Sequence, residues 1–211
     1  MASDITLYGN TPATSPYVMS VFVALEEKKL PFSFQLLDLN KGEQHEPEFV
    51  AHSVTNRVPT LRHGADWISE SLAIIEYLEE RFPAPEYPRL LPESTVERAR
   101  VRMIMGLVRS DFMPVRAERG TETIFFGAPI QPLSDEAEAA RIRLVRIATT
   151  VLGGRQSVAS SFGIADVDLA TMLQRLVHNG DLVPEPLADY ARAVWRRPSV
   201  RKWLALTKYP G

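Results

Sequence analysis

At 211 residues, with 45% hydrophobic and 24% charged content, the chain can bury a sizeable core, and its length suits one large domain or two small ones. Its net charge of -2 gives no general attraction to nucleic acid or an anionic membrane, and no run of about 18 apolar residues supplies a membrane span. The absence of cysteine excludes disulfide scaffolds, thiolate metal sites and every mechanism that needs a protein thiol.

The Met1-Ala2-Ser3-Asp4 start shows no basic segment followed by an apolar one, so a cytoplasmic location is the default expectation. Ile5 to Tyr8 reads as a strand. Beyond a loop, Val18, Val21, Phe22 and Leu25 fall at i, i+3, i+4, i+7 and predict a helix that Pro31 breaks. Phe32 to Leu39 reads as a second strand, which a right-handed crossover places parallel to the first. Lys41 to Asn56 is polar and reads as irregular. Thr60 to Arg62 and Trp67-Ile68 predict a short hairpin around His63-Gly64-Ala65-Asp66, followed by a helix presenting Ile74, Ile75, Leu78 and Phe82.

A composition shift follows. Pro83, Pro85, Pro88 and Pro92 resist helix and strand, so the reading is a domain over 1–81, a linker over 82–92 and a second domain over 93–211. In the second, Val101, Ile104, Met105 and Val108 form one helical stripe, Leu144, Ile147, Ala148 and Val151 another, and Leu169, Met172, Leu173 and Leu176 a third. The expected fold class is therefore α/β followed by all-α. Gly120 to Pro132 reads as an irregular connection.

Two motifs carry chemistry. The turn at Val58-Pro59 can leave the main-chain N-H and C=O of Val58 to pair with an extended ligand. At the helix start Glu70-Ser71, backbone N-H groups and the Ser71 hydroxyl suit a carboxylate, while the Glu70 carboxylate suits an ammonium. The ligand implied carries an amine, a carboxylate and a peptide unit. Asp166 reads as structural: three residues after Gly163, its carboxylate can reach back to the Gly163 N-H at a helix start. His52, His63 and His178 show no metal-ligand spacing, and no metal is expected.

Val58-Pro59 with Glu70-Ser71 resembles the glutathione-binding signature of the glutathione S-transferase family, in its bacterial, serine-type form. The likeness extends to Ile5-Thr6-Leu7-Tyr8 as the first strand and Ser15-Pro16-Tyr17-Val18 as the active-site turn. Gly163-Ile164-Ala165-Asp166 resembles the cap of the family's buried helix, and Arg197-Pro198-Ser199-Val200 its last helix start. The resemblance implies a thioredoxin-like glutathione-binding domain, an all-helical domain carrying the electrophile pocket, and a cytosolic homodimer. It implies glutathione as cosubstrate, bound through Val58, Pro59, Glu70 and Ser71, with His45 preferred over Lys41 and Gln44 for the glycine end. Arg109, Asp111 and Arg116 fall on or just past the helix that faces the second substrate in the family; their other reading is a solvated charged face.

Free glutathione's thiol, with a pKa of about 8.5, is only about 3% thiolate at neutral pH, and the thiolate is the nucleophile. Lowering that pKa by roughly two units takes about 2.7 kcal/mol of anion stabilisation. A hydroxyl hydrogen bond to a charged sulfur offers about 1.5 to 3 kcal/mol and a helix tip about 0.3 to 1. Ser15 is the expected donor, Tyr8 its rival, with Thr11 and Thr14 nearby. The implied activity is conjugation of glutathione to a small-molecule electrophile, or peroxide reduction. The isomerase branch's Ser-Ser-Cys turn is absent, and thiol transfer through a protein cysteine is excluded. The alternative is a non-enzymatic binding or regulatory module on the same architecture.

Overall fold

The computed structural model describes residues 4–207; Met1-Ala2-Ser3 and residues 208–211 lie outside them. Strand β1 (Ile5–Asn10) leads into helix α1 (Pro16–Glu27), whose Val18, Val21, Phe22 and Leu25 are all buried. Strand β2 (Ser33–Leu37) then returns parallel to β1, with Leu7 opposite Phe34. The crossover is close because residue 9 is glycine. A Cβ there would meet the Phe34 ring and Val18 Cγ1 at 2.8 Å, so any side chain would have to displace one of them.

The predicted hairpin forms as β3 (Thr60–His63) and β4 (Asp66–Ser69), with Gly64 at φ +60° in its two-residue turn. β3 pairs antiparallel with β1, giving the order β2-β1-β3-β4, and helix α3 (Ser71–Arg81) follows. This is the thioredoxin-like arrangement that the resemblance implies.

The segment 41–56 departs from its irregular reading. It holds a 3-10 turn at Glu43–His45 and a one-turn helix α2 (Pro47–Val50). Four residues are too few for helical periodicity to register in sequence; tertiary packing holds them, because Phe49 is buried edge-on to Tyr8 with ring centres 5.6 Å apart.

The core of this part also holds a charge. Lys28, at the end of α1, is fully buried and pairs with Glu79 of α3 at 2.9 Å. Its ammonium also donates to the carbonyls of Phe82 (2.8 Å) and Pro88 (3.0 Å), and Glu79 accepts the Leu90 N-H at 2.9 Å. A chain segment too proline-rich to satisfy its own carbonyls is thus tied down by one buried lysine.

Downstream the described chain is helical: α4 (Thr95–Ser110), α5 (Met113–Glu118), α6 (Thr121–Phe125), α7 (Asp135–Leu152), α8 (Ile164–Val177), α9 (Glu185–Trp195) and α10 (Pro198–Leu206). Ser94 and Ser134 cap α4 and α7, accepting from Glu97 N and Ala137 N. Short helix α6 occupies part of the stretch read as irregular. By contacts, the described chain up to Leu90 and Lys202–Thr207 form one compact unit, and Leu91–Arg201 another. In the first, Trp203 is fully buried against Phe22 and Phe34.

The second unit is built on α8, buried along its whole length except Val177. Its polar residues are paired accordingly. The Asp166 carboxylate accepts from the N-H groups of Gly163 (2.9 Å) and Val158 (2.8 Å) and from the Tyr190 hydroxyl (2.8 Å). The expected structural role of Asp166 therefore holds, with two further donors that the motif alone does not reveal. Arg119 grips Asp181 through two nitrogens at 2.6 and 2.8 Å, and Arg175 donates to the Arg119 carbonyl at 2.6 Å.

Candidate functional site

Strand pairing gathers the sequence-predicted binding residues. In the register, Tyr8 of β1 sits opposite Thr60 of β3, and Thr60 opposite Ser69 of β4. β1 therefore leaves the sheet toward Ser15 at the same end where Val58-Pro59 enters β3 and where β4 leaves into Glu70-Ser71. β2 ends there too, since Leu37 lies opposite Asn10 and the Thr11 N-H donates to the Leu37 carbonyl at 2.8 Å. The loops of four strands share one end of the sheet.

Ser15 caps α1. Its backbone is extended (φ -67°, ψ 119°), Pro16 takes the first helical position, and its Oγ accepts from the Val18 N-H at 3.4 Å. The hydroxyl thus uses a lone pair on the helix tip and keeps its proton to donate elsewhere. Tyr8 is held differently. Its neighbour Gly9 faces α1, so Tyr8 faces the opposite side of the sheet, where its ring stacks on Trp67 at 5.2 Å. Burial pushes the Tyr8 phenol above its ordinary pKa, with Arg62 pulling the other way. The stack continues to His52, parallel to Trp67 at 4.7 Å.

The Val58–Pro59 bond is cis, Pro59 is buried and Val58 half-buried. Among the described residues, no turn or loop backbone hydrogen bond runs to or from Val58. Glu70 is exposed and carries φ +73° and ψ 121°, outside both helical wells, as the residue just before α3. Such a conformation costs a non-glycine residue about 1–3 kcal/mol and concentrates at functional sites. Ser71, the first residue of α3, is buried to 4% exposure. Relief of this strain is measurable: Glu70→Gly should raise stability by about 1 kcal/mol in a denaturant melt, after allowance for the more flexible unfolded chain, whereas Glu70→Ala should not.

A model of the glutathione S-transferase N-terminal domain matches residues 14–81, and one of the C-terminal domain matches 94–209. The chain belongs to the glutathione S-transferase family. Among solved structures, it is similar to a Burkholderia glutathione transferase homolog with bound glutathione, at 37% identity and TM-score 0.79, covering 97% of each chain. A maleylacetoacetate isomerase from Aspergillus fumigatus is 34% identical over 154 residues, 70% of this chain and 67% of that one. A glutathione S-transferase from Dianthus caryophyllus is 43% identical over 96 residues, 46% of this chain and 42% of that one. The chain spans about half the length of several of the curated relatives it matches.

For this transferase-family chain, the remaining candidates sit as follows. His45 is exposed in the 3-10 turn, Lys41 pairs with Asp38 at 3.1 Å, and Gln44 donates to the Leu39 carbonyl at 3.5 Å. Arg109 is engaged with Asp168 of α8 at 2.5 Å and with the Met105 carbonyl, Asp111 pairs with Arg143, and Arg116 donates to the Arg109 carbonyl. Each of these three charges has a protein partner in the helical unit. That unit also contains a cavity of about 530 Å³ floored by Leu152, Leu187 and Val194. Its arginines are committed: Arg155 donates to the carbonyls of Val151, Leu152 and Val158, and Arg197 lies over the Phe162 ring at 3.5 Å. Among the described residues, no group of three His, Cys, Asp or Glu side chains could hold a metal, and no helix is long and apolar enough to cross a membrane.

Proposed function

We propose that the chain is a glutathione transferase that activates the glutathione thiol for conjugation to an electrophile or for peroxide reduction. The observation that carries this is the Ser15 hydroxyl at the tip of α1, accepting from Val18 N-H and so poised to donate its own proton. Glutathione supplies the sulfur nucleophile. Val58 offers its main chain to the cysteinyl backbone beside Pro59, and the strained, exposed Glu70 together with Ser71 receives the γ-glutamyl end. His45 takes the glycine carboxylate. The helical unit takes the electrophile, with Arg109, Asp111 and Arg116 as its polar contacts.

Ser15 is preferred to Tyr8 on charge stabilisation. A donor at a helix N-terminus adds the dipole's about 0.3 to 1 kcal/mol to the hydrogen bond's about 1.5 to 3, whereas Tyr8 lies in a strand with no helix end behind it. An isomerase activity, suggested by the names of several relatives, is not proposed, because no cysteine follows Ser15 in the turn. A second copy of the chain is the proposed partner: Val96 and Met103, seven residues apart on one face of α4, are each 59% exposed.

The test is calorimetric titration with reduced glutathione combined with the ultraviolet thiolate absorbance of the complex. Wild type is expected to bind and to ionise the thiol at neutral pH. Ser15→Ala is expected to bind comparably but raise the bound thiol's pKa by about one to two units, the equivalent of one hydrogen bond to an anion. Binding without a thiolate in wild type would make the chain a binding module. An unchanged signal in Ser15→Ala would transfer the donor role to Tyr8.

A further inference from the structure

Asn10 is the last residue of β1, and its side-chain amide spans the turn that leads to α1. Oδ1 accepts the Ser15 N-H at 3.1 Å, while Nδ2 donates to the Pro12 carbonyl at 2.5 Å and to Thr14 Oγ1 at 3.1 Å. The chemistry of the partners fixes which way the amide points: an N-H can only donate and a carbonyl can only accept. Thr14 closes the network, its N-H and its hydroxyl both donating to the Pro12 carbonyl, at 2.7 and 3.3 Å.

These bonds sort the three hydroxyls of the turn. Thr14 is buried to 8% exposure, and its proton is already committed to Pro12. Thr11 lies outside the amide's bonds. Ser15 is half-buried; its N-H is taken by Asn10 and its lone pair by Val18 N-H, so its hydroxyl proton is the donor it can present to a ligand. An extended serine at a helix cap could otherwise turn its N-H outward and its hydroxyl back onto its own backbone, since local side-chain bonds of this kind compete readily. Asn10 removes that choice.

We propose that Asn10 is a positioning residue that orients Ser15, holding its main chain so that the hydroxyl rather than the amide faces the cosubstrate's sulfur. This rests on the role given to Ser15 above. Asn10 itself touches no reacting atom, so its effect passes wholly through Ser15.

The experiment is a double-mutant cycle on Asn10→Ala and Ser15→Ala, reading the pKa of enzyme-bound glutathione from thiolate absorbance and its affinity by calorimetry. Asn10→Ala should raise the thiol pKa by about one unit, a roughly tenfold smaller thiolate to thiol ratio at neutral pH. Affinity for the protonated tripeptide should stay within about threefold, since Val58, Glu70 and Ser71 are untouched. The double variant should titrate like Ser15→Ala alone, because residues acting through one contact are not additive. Thr14→Val, which frees Nδ2 from one anchor, should shift the pKa in the same direction by less and serves if Asn10→Ala does not fold. An unshifted pKa in the folded Asn10 variant (or in Thr14→Val, where that serves), with Ser15→Ala shifted, overturns the inference and leaves the Ser15 reading standing. An additive cycle overturns it as well. An unshifted pKa in Ser15→Ala removes both.

Discussion

Replacing Glu79 with alanine should lower stability by about 3–5 kcal/mol, because it leaves the Lys28 ammonium buried with no counter-charge. For a chain of this length that is on the order of 10 °C in the melting temperature. The geometry makes the loss hard to repair: both side chains are almost without solvent contact, and Glu79 also holds the Leu90 N-H. Added salt should change the cost little, since buried pairs are poorly screened. Lys28→Met combined with Glu79→Leu should recover much of the pair term but not the two carbonyls of Phe82 and Pro88 or the Leu90 N-H, each worth about 1–3 kcal/mol when buried without a partner. Thermal and urea melts of the single and double variants decide it. A Glu79→Ala cost below about 1 kcal/mol would show that water reaches this lysine.

Asp166→Ala should cost about 4 kcal/mol by removing the acceptor for three buried or half-buried donors, the N-H groups of Gly163 and Val158 and the Tyr190 hydroxyl. Here the pH dependence carries more information than the loss itself. Burial is the largest influence on this carboxyl and holds its pKa above the ordinary aspartate value, against those three hydrogen bonds and Arg197. The folded state therefore binds this proton more tightly than the unfolded chain. Its contribution is complete below the ordinary carboxylate range, about pH 4, and is lost as the pH rises through the raised folded value. Wild type's stability advantage over Asp166→Asn should accordingly shrink as urea midpoints are followed from pH 4 to 7. An advantage that grows with pH would mean that the donors outweigh desolvation.

Much of the fold is legible in sequence where one face alone decides burial. Val18, Val21, Phe22 and Leu25 repeat at helical spacing and are all buried, as are Val101, Ile104, Met105 and Val108 in α4. β2 is parallel to β1 as a crossover demands, and the hairpin turns at Gly64. Illegible features are those that depend on a distant partner. Lys28 follows two glutamates at a helix end, where nothing local marks it for burial, and it meets Glu79 and the carbonyls of Phe82 and Pro88 only after the chain has folded back. Arg109 shows a charge but not Asp168, 59 residues away. In the candidate site, Glu70-Ser71 and Val58-Pro59 are motifs of adjacent residues and can be seen locally. Asn10 cannot, since nothing in Asn-Thr-Pro tells that its amide will reach five residues forward to Ser15.

The sheet's two ends are unequal in what they carry. Every candidate binding loop leaves from one, while the opposite end closes in the tight turn of Gly64 and Ala65, about 13 Å away along a four-residue strand. A fluorophore, affinity tag or inserted peptide grafted at Ala65 therefore sits a strand's length from the candidate binding loops. Immobilisation through that turn leaves the candidate binding loops facing outward.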